Sequence, residues 1–215
     1  MAKGERTSQK QRTRQDLLQA ASRLMAQGQL PKVADVAKEA LVSRATAYRF
    51  FSSDEALIAE AAIDVRTPTA TQLFEGDTSL DPEERLLKAN AVMHDVVWKN
   101  QKQMRFIVAR LLDQRNGSRE MPRQNRRTDF IHTALAPARD RFDAATYRKL
   151  CAAVALVIGA ESMFVFHDVL QIEEAEAQKV ENWVVRVLTQ AALLESRTKD
   201  GKASRSISRP GGKKR

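Results

Sequence analysis

The sequence predicts an all-α protein in two parts, a small three-helix unit followed by a larger helical body. Three observations predict it. Apolar residues recur with a helical period along almost the whole chain, and no segment shows the strict alternation of a strand. Charge is segregated: residues 1–53 hold ten Lys/Arg against four Asp/Glu, +6, residues 196–215 hold eight against one, +7, and the 54–195 body holds 18 against 22, −4. Pro68 and "EGDTSLDP" interrupt the helical pattern between the basic N-terminal stretch and the rest.

Taken in order, "MAKGERTSQKQRTRQ" has basic residues and no apolar run, so residues 1–14 read as a basic arm without a secretory signal, and a cytoplasmic location is expected. Leu17, Leu18, Ala21, Leu24 and Met25 make the stripe of a first helix, ended by Gly28 and Pro31. Val33, Val36, Ala37 and Ala40 make a second of about two turns. Ser43 is placed to cap a third, in which Ala47, Phe50 and Phe51 face inward. Ser52 and Glu55 have capping-box spacing at the start of a fourth, whose buried face is Leu57, Ile58, Ala61, Ala62 and Val65. Residues 15–52 are thus expected to form the three-helix unit and 53–195 the larger body, with helices near 82–100, 102–114, 123–141 (interrupted at Pro137), 144–170 and 174–195. The final stretch, 196–215, is rich in Ser, Gly, Lys and Arg and reads as a disordered basic tail.

Composition excludes several classes. The greasiest run, "CAAVALVIGAESMFVF", is broken by Glu161, so no membrane span is expected. The single cysteine, Cys151, rules out an internal disulfide or a cysteine metal cluster within one chain. His94, His132 and His167 are scattered, so neither a metal nor another cofactor is expected. No Gly-rich phosphate loop, nucleophile motif or catalytic His/carboxylate constellation is present, which argues against an enzyme.

Two short helices joined by "LVS" make a helix-turn-helix, whose second helix would offer its N-terminal residues to the major groove of double-stranded DNA. Val36, Ala37, Ala40, Val42, Ala47 and Phe50 form its inward set, leaving Arg44, Ala45, Thr46, Tyr48 and Arg49 outside. Arg44 can fork onto a guanine edge, and the small Ala45 lets the helix approach a base; Thr46, Tyr48 and Arg49 can meet phosphates. Lys32 and Ser43, at the starts of the two helices, complete the candidate DNA-binding set.

The stretch from Arg14 to Ala62, above all "VADVAKEALVSRATAYRFFSSDEALIAEA", resembles the DNA-binding domain of the TetR family of bacterial transcriptional regulators, matching its pattern at Val36, Ala37, Ala40, Val42, Ser43, Thr46, Ala47, Tyr48 and Phe51. It departs at Leu41, where the family's turn usually has Gly, and at Asp54, near where many members carry a phosphate-binding Lys. There an acid suits the helix dipole and repels DNA. The resemblance implies that the larger domain senses a small molecule and that the last two long helices pair with a second subunit. Segments 144–170 and 174–195 are the candidates, with Leu150, Val154, Val157, Ile158 and Gly159 on one and Trp183, Val184, Val187, Leu188 and Ala191 on the other. For a largely apolar effector, the helix near 82–100 offers Asn90, His94 and Trp98, while Met104, Phe130, Met163, Phe164 and His167 are candidates for the other walls. The function expected is therefore a repressor released from a palindromic operator by an effector. The alternative is a DNA-bound structural or partner-recruiting protein of the same fold without an effector.

Overall fold

The computed structural model describes residues 2–64, 67–114 and 126–207. Its helices are α1 (Ala2–Ala26), α2 (Val33–Glu39), α3 (Arg44–Phe50), α4 (Asp54–Asp64), α5 (Ala70–Leu73), α6 (Pro82–Lys99), α7 (Gln101–Gln114), α8 (Arg126–Leu135), α9 (Ala144–Val157), α10 (Ala160–Phe164) and α11 (Glu174–Ile207). A 3-10 segment, Ala136–Arg141, follows α8, and a π-helical turn, Val165–Val169, follows α10. No strand occurs among the described residues, and the fold is all-α as the periodicity requires. No single helix among them is long and apolar enough to cross a membrane.

The chain divides into two compact units, Met1–Pro68 with Asp95–Asn125, and Thr69–His94 with Arg126–Arg215. The sequence reading drew a boundary at 52–53. That boundary falls inside the first unit, because α4 packs on α1.

In the first unit the expected stripes meet. Leu17, Leu18 and Ala21 of α1, Val33, Val36 and Ala37 of α2, Ala47 and Phe50 of α3, and Leu57 and Ala61 of α4 form one buried cluster around Phe51, with Leu24, Met25, Ala40 and Val42 half-buried against it. Helix α4 begins one residue later than expected. Ser53, not Ser52, accepts from the amide of Ala56 through its Oγ, at 3.3 Å. Ile58 and Ala62 are half-buried, whereas Val65, expected on the same face, lies outside the described residues. The basic arm expected over 1–14 is helical from Ala2 onward and continuous with α1, because Lys, Glu, Gln and Arg are good helix formers and no proline interrupts them.

In the second unit α9 packs against α8 and α11, and the core gathers Phe74, Leu86, Phe130, Ile131, Leu135, Leu150, Val154 and Val185. Two breaks are stabilised by arginines. Pro137 has no N–H to give the carbonyl of Thr133 four residues back. Arg85 donates there instead at 3.1 Å, and to Ala134 O at 2.9 Å. The expected single helix over 144–170 is in fact broken after Val157, where Gly159 adopts φ 156°, ψ −172°, a conformation reserved for glycine. Arg127 spans the break, donating to the carbonyl of Ala155 at 2.7 Å and to Glu161 at 2.5 Å; a Cβ on Gly159 would collide with its guanidinium.

The tail expected to be disordered from 196 is helical as far as Ile207. Ser196 is buried, its Oγ donating to Asp143 Oδ2 at 3.3 Å and accepting the Asp143 amide at 3.2 Å, so α11 is fastened at this point to the N-cap of α9. Residues 208–215 lie outside the described residues.

Candidate nucleic-acid interface

Helix α3 is short and polar, and its position is set from both ends. At its start Ser43 is the N-cap expected: its Oγ accepts the Thr46 amide at 3.0 Å and lies 2.8 Å from Thr46 Oγ1. At its end Arg14 of α1, 4% exposed, reaches across the core. The guanidinium donates to the Phe50 carbonyl at 3.4 Å, sits 4.5 Å from the centroid of the Phe51 ring, and donates at 2.7 Å to both carboxylate oxygens of Glu60 on α4. A buried arginine of this kind is stable only while its carboxylate is present.

The turn before α3 closes α2 with a Schellman motif. The Val42 amide donates to Ala37 O at 2.9 Å and the Leu41 amide to Lys38 O at 3.2 Å. Leu41 takes φ 55° to allow this, and its side chain is 93% exposed, so the fold accepts a left-handed leucine where glycine would cost less. The other departure has a structural role. Asp54 accepts the amide of Val33, the first residue of α2, at 2.7 Å, while the amide of Lys32 is held at 3.2 Å by Asp35. The acid at the head of α4 therefore caps α2, an arrangement that the sequence reading, which set Asp54 against DNA, did not foresee.

With core and caps in place, Arg44, Ala45, Tyr48 and Arg49 stand exposed on α3, Thr46 is half-buried beside Ser43, and Lys32 is exposed at the head of α2. Two guanidiniums, a phenol and hydroxyls around a small alanine can pair with base edges and phosphates, and they have little other chemistry to do. Arg14, Glu60 and Asp54 are missing from the sequence-level set. Arg14 could have been found, because it falls three and four residues before Leu17 and Leu18 and so lies on the buried stripe.

The candidate effector residues fall in both units. Trp98 and Met104 are buried in the first unit. In the second, Phe130 belongs to the hydrophobic core, Met163 is buried, Phe164 is half-buried, and His167 is exposed, paired with Asp168 at 2.7 Å. Asn90 and His94 meet there on Glu181, a residue that sequence reasoning missed. Glu181 of α11, 2% exposed, lies 2.8 Å from His94 Nδ1, accepts from Asn90 Nδ2 at 3.4 Å and from Ser162 Oγ at 3.0 Å. Its signal was positional: Ala177, Glu181, Val185, Thr189, Ala192 and Ser196 repeat at helical spacing and are all buried. No group of three potential metal ligands occurs among the described residues.

A basic N-terminal unit whose second short helix exposes such a face defines a helix-turn-helix DNA-binding protein. Residues 17–61 match the family model of bacterial regulatory proteins, tetR family. Residues 17–61 are thus similar to the TetR-type DNA-binding domain, and the helix-turn-helix lies within them. No curated protein and no solved structure matches it.

Proposed function

We propose that this regulator is a repressor that binds a palindromic operator as a homodimer and is released by a small-molecule effector. The observation that carries the DNA-reading part is the exposure of Arg44, Ala45, Tyr48 and Arg49 on a helix fastened at both ends. Lys32, Ser43 and Thr46 complete the contact set, with Arg44 as base reader and the others on phosphates.

The homodimer reading rests on an apolar face left exposed among the described residues. On α11 the buried stripe is used up within the second unit, yet Trp183 (63% exposed), Val187 and Leu194 form a second stripe at spacings of four and seven; Leu156 of α9 is 77% exposed. A face of this kind on two helices suits an isologous contact. The effector reading rests on Asn90 and His94, which hold polar groups inside the second unit. Of the remaining candidates, Phe130, Met163, Phe164 and His167 lie in the same unit and are proposed only as apolar or outer contacts. A hundredfold loss of operator affinity would require about 2.7 kcal/mol of coupling between the two ligands.

Random-site selection with the full chain tests the proposal: it should return an imperfect palindrome. Arg44→Ala should then cost about 1–3 kcal/mol and relax preference at one position in each half-site. Selected sites with no dyad, or a loss spread evenly over all sequences, would refute the dimeric base-reading mode.

A further inference from the structure

The cluster around Glu181 leaves a buried acceptor, Asn90 Oδ1, unpaired beside a buried carboxylate, and those two features specify a ligand class. We propose that it binds a compact organic cation, a protonated amine whose N–H groups are taken up by Asn90 Oδ1 and the Glu181 carboxylate. This rests on the effector reading above and names the chemistry of that site.

Asn90 is fully buried, and its orientation is fixed by its neighbours. Nδ2 donates to Asn182 Oδ1 at 3.1 Å and to Glu181 Oε2 at 3.4 Å, so turning the amide over would set its oxygen against two other oxygens. In the orientation that results, Oδ1 is sealed from solvent without a hydrogen-bond partner. Buried carbonyls in that condition are uncommon and call for a donor. Glu181 adds a buried carboxylate held by Asn90, Ser162 and His94, the last a cationic partner only when its imidazole is protonated; no Lys or Arg touches it among the described residues. A buried carboxylate is most favourable beside a cation with N–H groups to give.

The same acidity continues outward. Glu174, half exposed at the head of α11, lies 4.0 Å from His94 Nε2, with Glu173 and Glu176 exposed on either side. Carboxylates beside the cluster attract cations and repel anions. An anionic ligand would meet Glu174 and then Glu181, and a neutral acceptor would leave Asn90 Oδ1 as it is. A protonated amine satisfies both groups.

Three probes with one alkyl chain and different head groups test this on the full-length protein: hexylammonium, hexanol and hexanoate. Hexylammonium at ten times its Kd should raise Tm by roughly 3–6 °C, with hexanol and hexanoate giving no shift at that concentration. Glu181→Gln and Asn90→Leu should abolish the shift. Because those buried changes can disturb folding, Glu174→Gln on the rim gives a second reading and should weaken amine binding severalfold.

Equal shifts from the three probes, or an amine shift that survives both Glu174→Gln and Glu181→Gln, would overturn the proposal. No amine shift at all would mean that Asn90 Oδ1 holds an ordered water only. Operator titrations separate this from the effector reading. Release of DNA by a neutral or anionic compound, without amine binding, sinks the cation class alone. Amine binding that never releases DNA sinks the effector reading and leaves the site standing.

Discussion

The carboxylate of Asp54, the first residue of α4, accepts the backbone N–H of Val33, the first residue of α2, at 2.7 Å. Helix α2 is seven residues long and has no cap from the side chain of Lys32, so this bond from a helix 21 positions away replaces the local one.

Removing that acceptor should therefore act on stability first. Asp54→Ala should cost about 1 kcal/mol, in the range of a lost N-cap, whereas Asp54→Asn keeps an oxygen there and should cost less. Asp54→Lys should lower the melting temperature and weaken operator binding, since it removes the cap and sets a cation at two helix N-termini. Thermal melts alongside fluorescence anisotropy with operator DNA check this. Tighter operator binding by the Lys variant would restore the view of Asp54 as an acid repelling DNA.

The grip of Arg14 on α3 is the second test. Arg14→Ala leaves the half-buried Glu60 without its cation and frees the Phe50 carbonyl, so it should cost about 2–4 kcal/mol. Glu60→Gln isolates the electrostatic part while leaving a hydrogen-bond acceptor. If these side chains position the reading helix, Glu60→Gln should lower operator affinity at temperatures where circular dichroism shows the variant folded. Unchanged affinity there would make the pair purely a stability element.

At Leu41 the expected change is a gain. Its side chain is exposed and packs on nothing that glycine would forfeit, while its φ of 55° is one that glycine adopts freely. Leu41→Gly should stabilise the fold by about 1 kcal/mol, and Leu41→Val should destabilise it, because β-branching is poorly tolerated at positive φ. Chemical denaturation with unchanged m-values would measure both. A Gly variant no more stable than the parent would mean that the turn relaxes without cost.

Cys151 tests α9. Burial raises its thiol pKa, against smaller opposite contributions from the Tyr147 hydroxyl and the Arg139 charge. The folded chain therefore favours the protonated thiol. That preference contributes to stability below the unfolded-state pKa and is lost as pH rises through the folded one. Maleimide labelling at neutral pH should be slow in the native protein and fast in denaturant. Native labelling at the unfolded rate would mean that α9 opens readily.

The sequence by itself determined the helix-turn-helix. The core of that unit is built from neighbouring stripes, Leu17 and Leu18, Val36 and Ala37, Ala47 and Phe50, and its reading face is what those stripes leave over. Such contacts are short in sequence, so periodicity and a capping serine suffice to place Arg44 and Arg49 outside. The resemblance to the TetR pattern marks Leu41 as a residue in a glycine's position, and the positive φ is there. Tertiary structure decided whatever depends on a distant partner. Asp54 is an acid near DNA until Val33 is brought to it, and Arg14 is one basic residue among many until Glu60 and Phe50 surround it. Segment 144–170 reads as one helix until Arg127 crosses its break, and Glu181 is a polar residue on an apolar stripe until Asn90, His94 and Ser162 converge on its carboxylate. Local propensity reaches only a turn or two along the chain, whereas a buried charge or an orphaned helix end is satisfied by whichever group folding brings within about 3 Å.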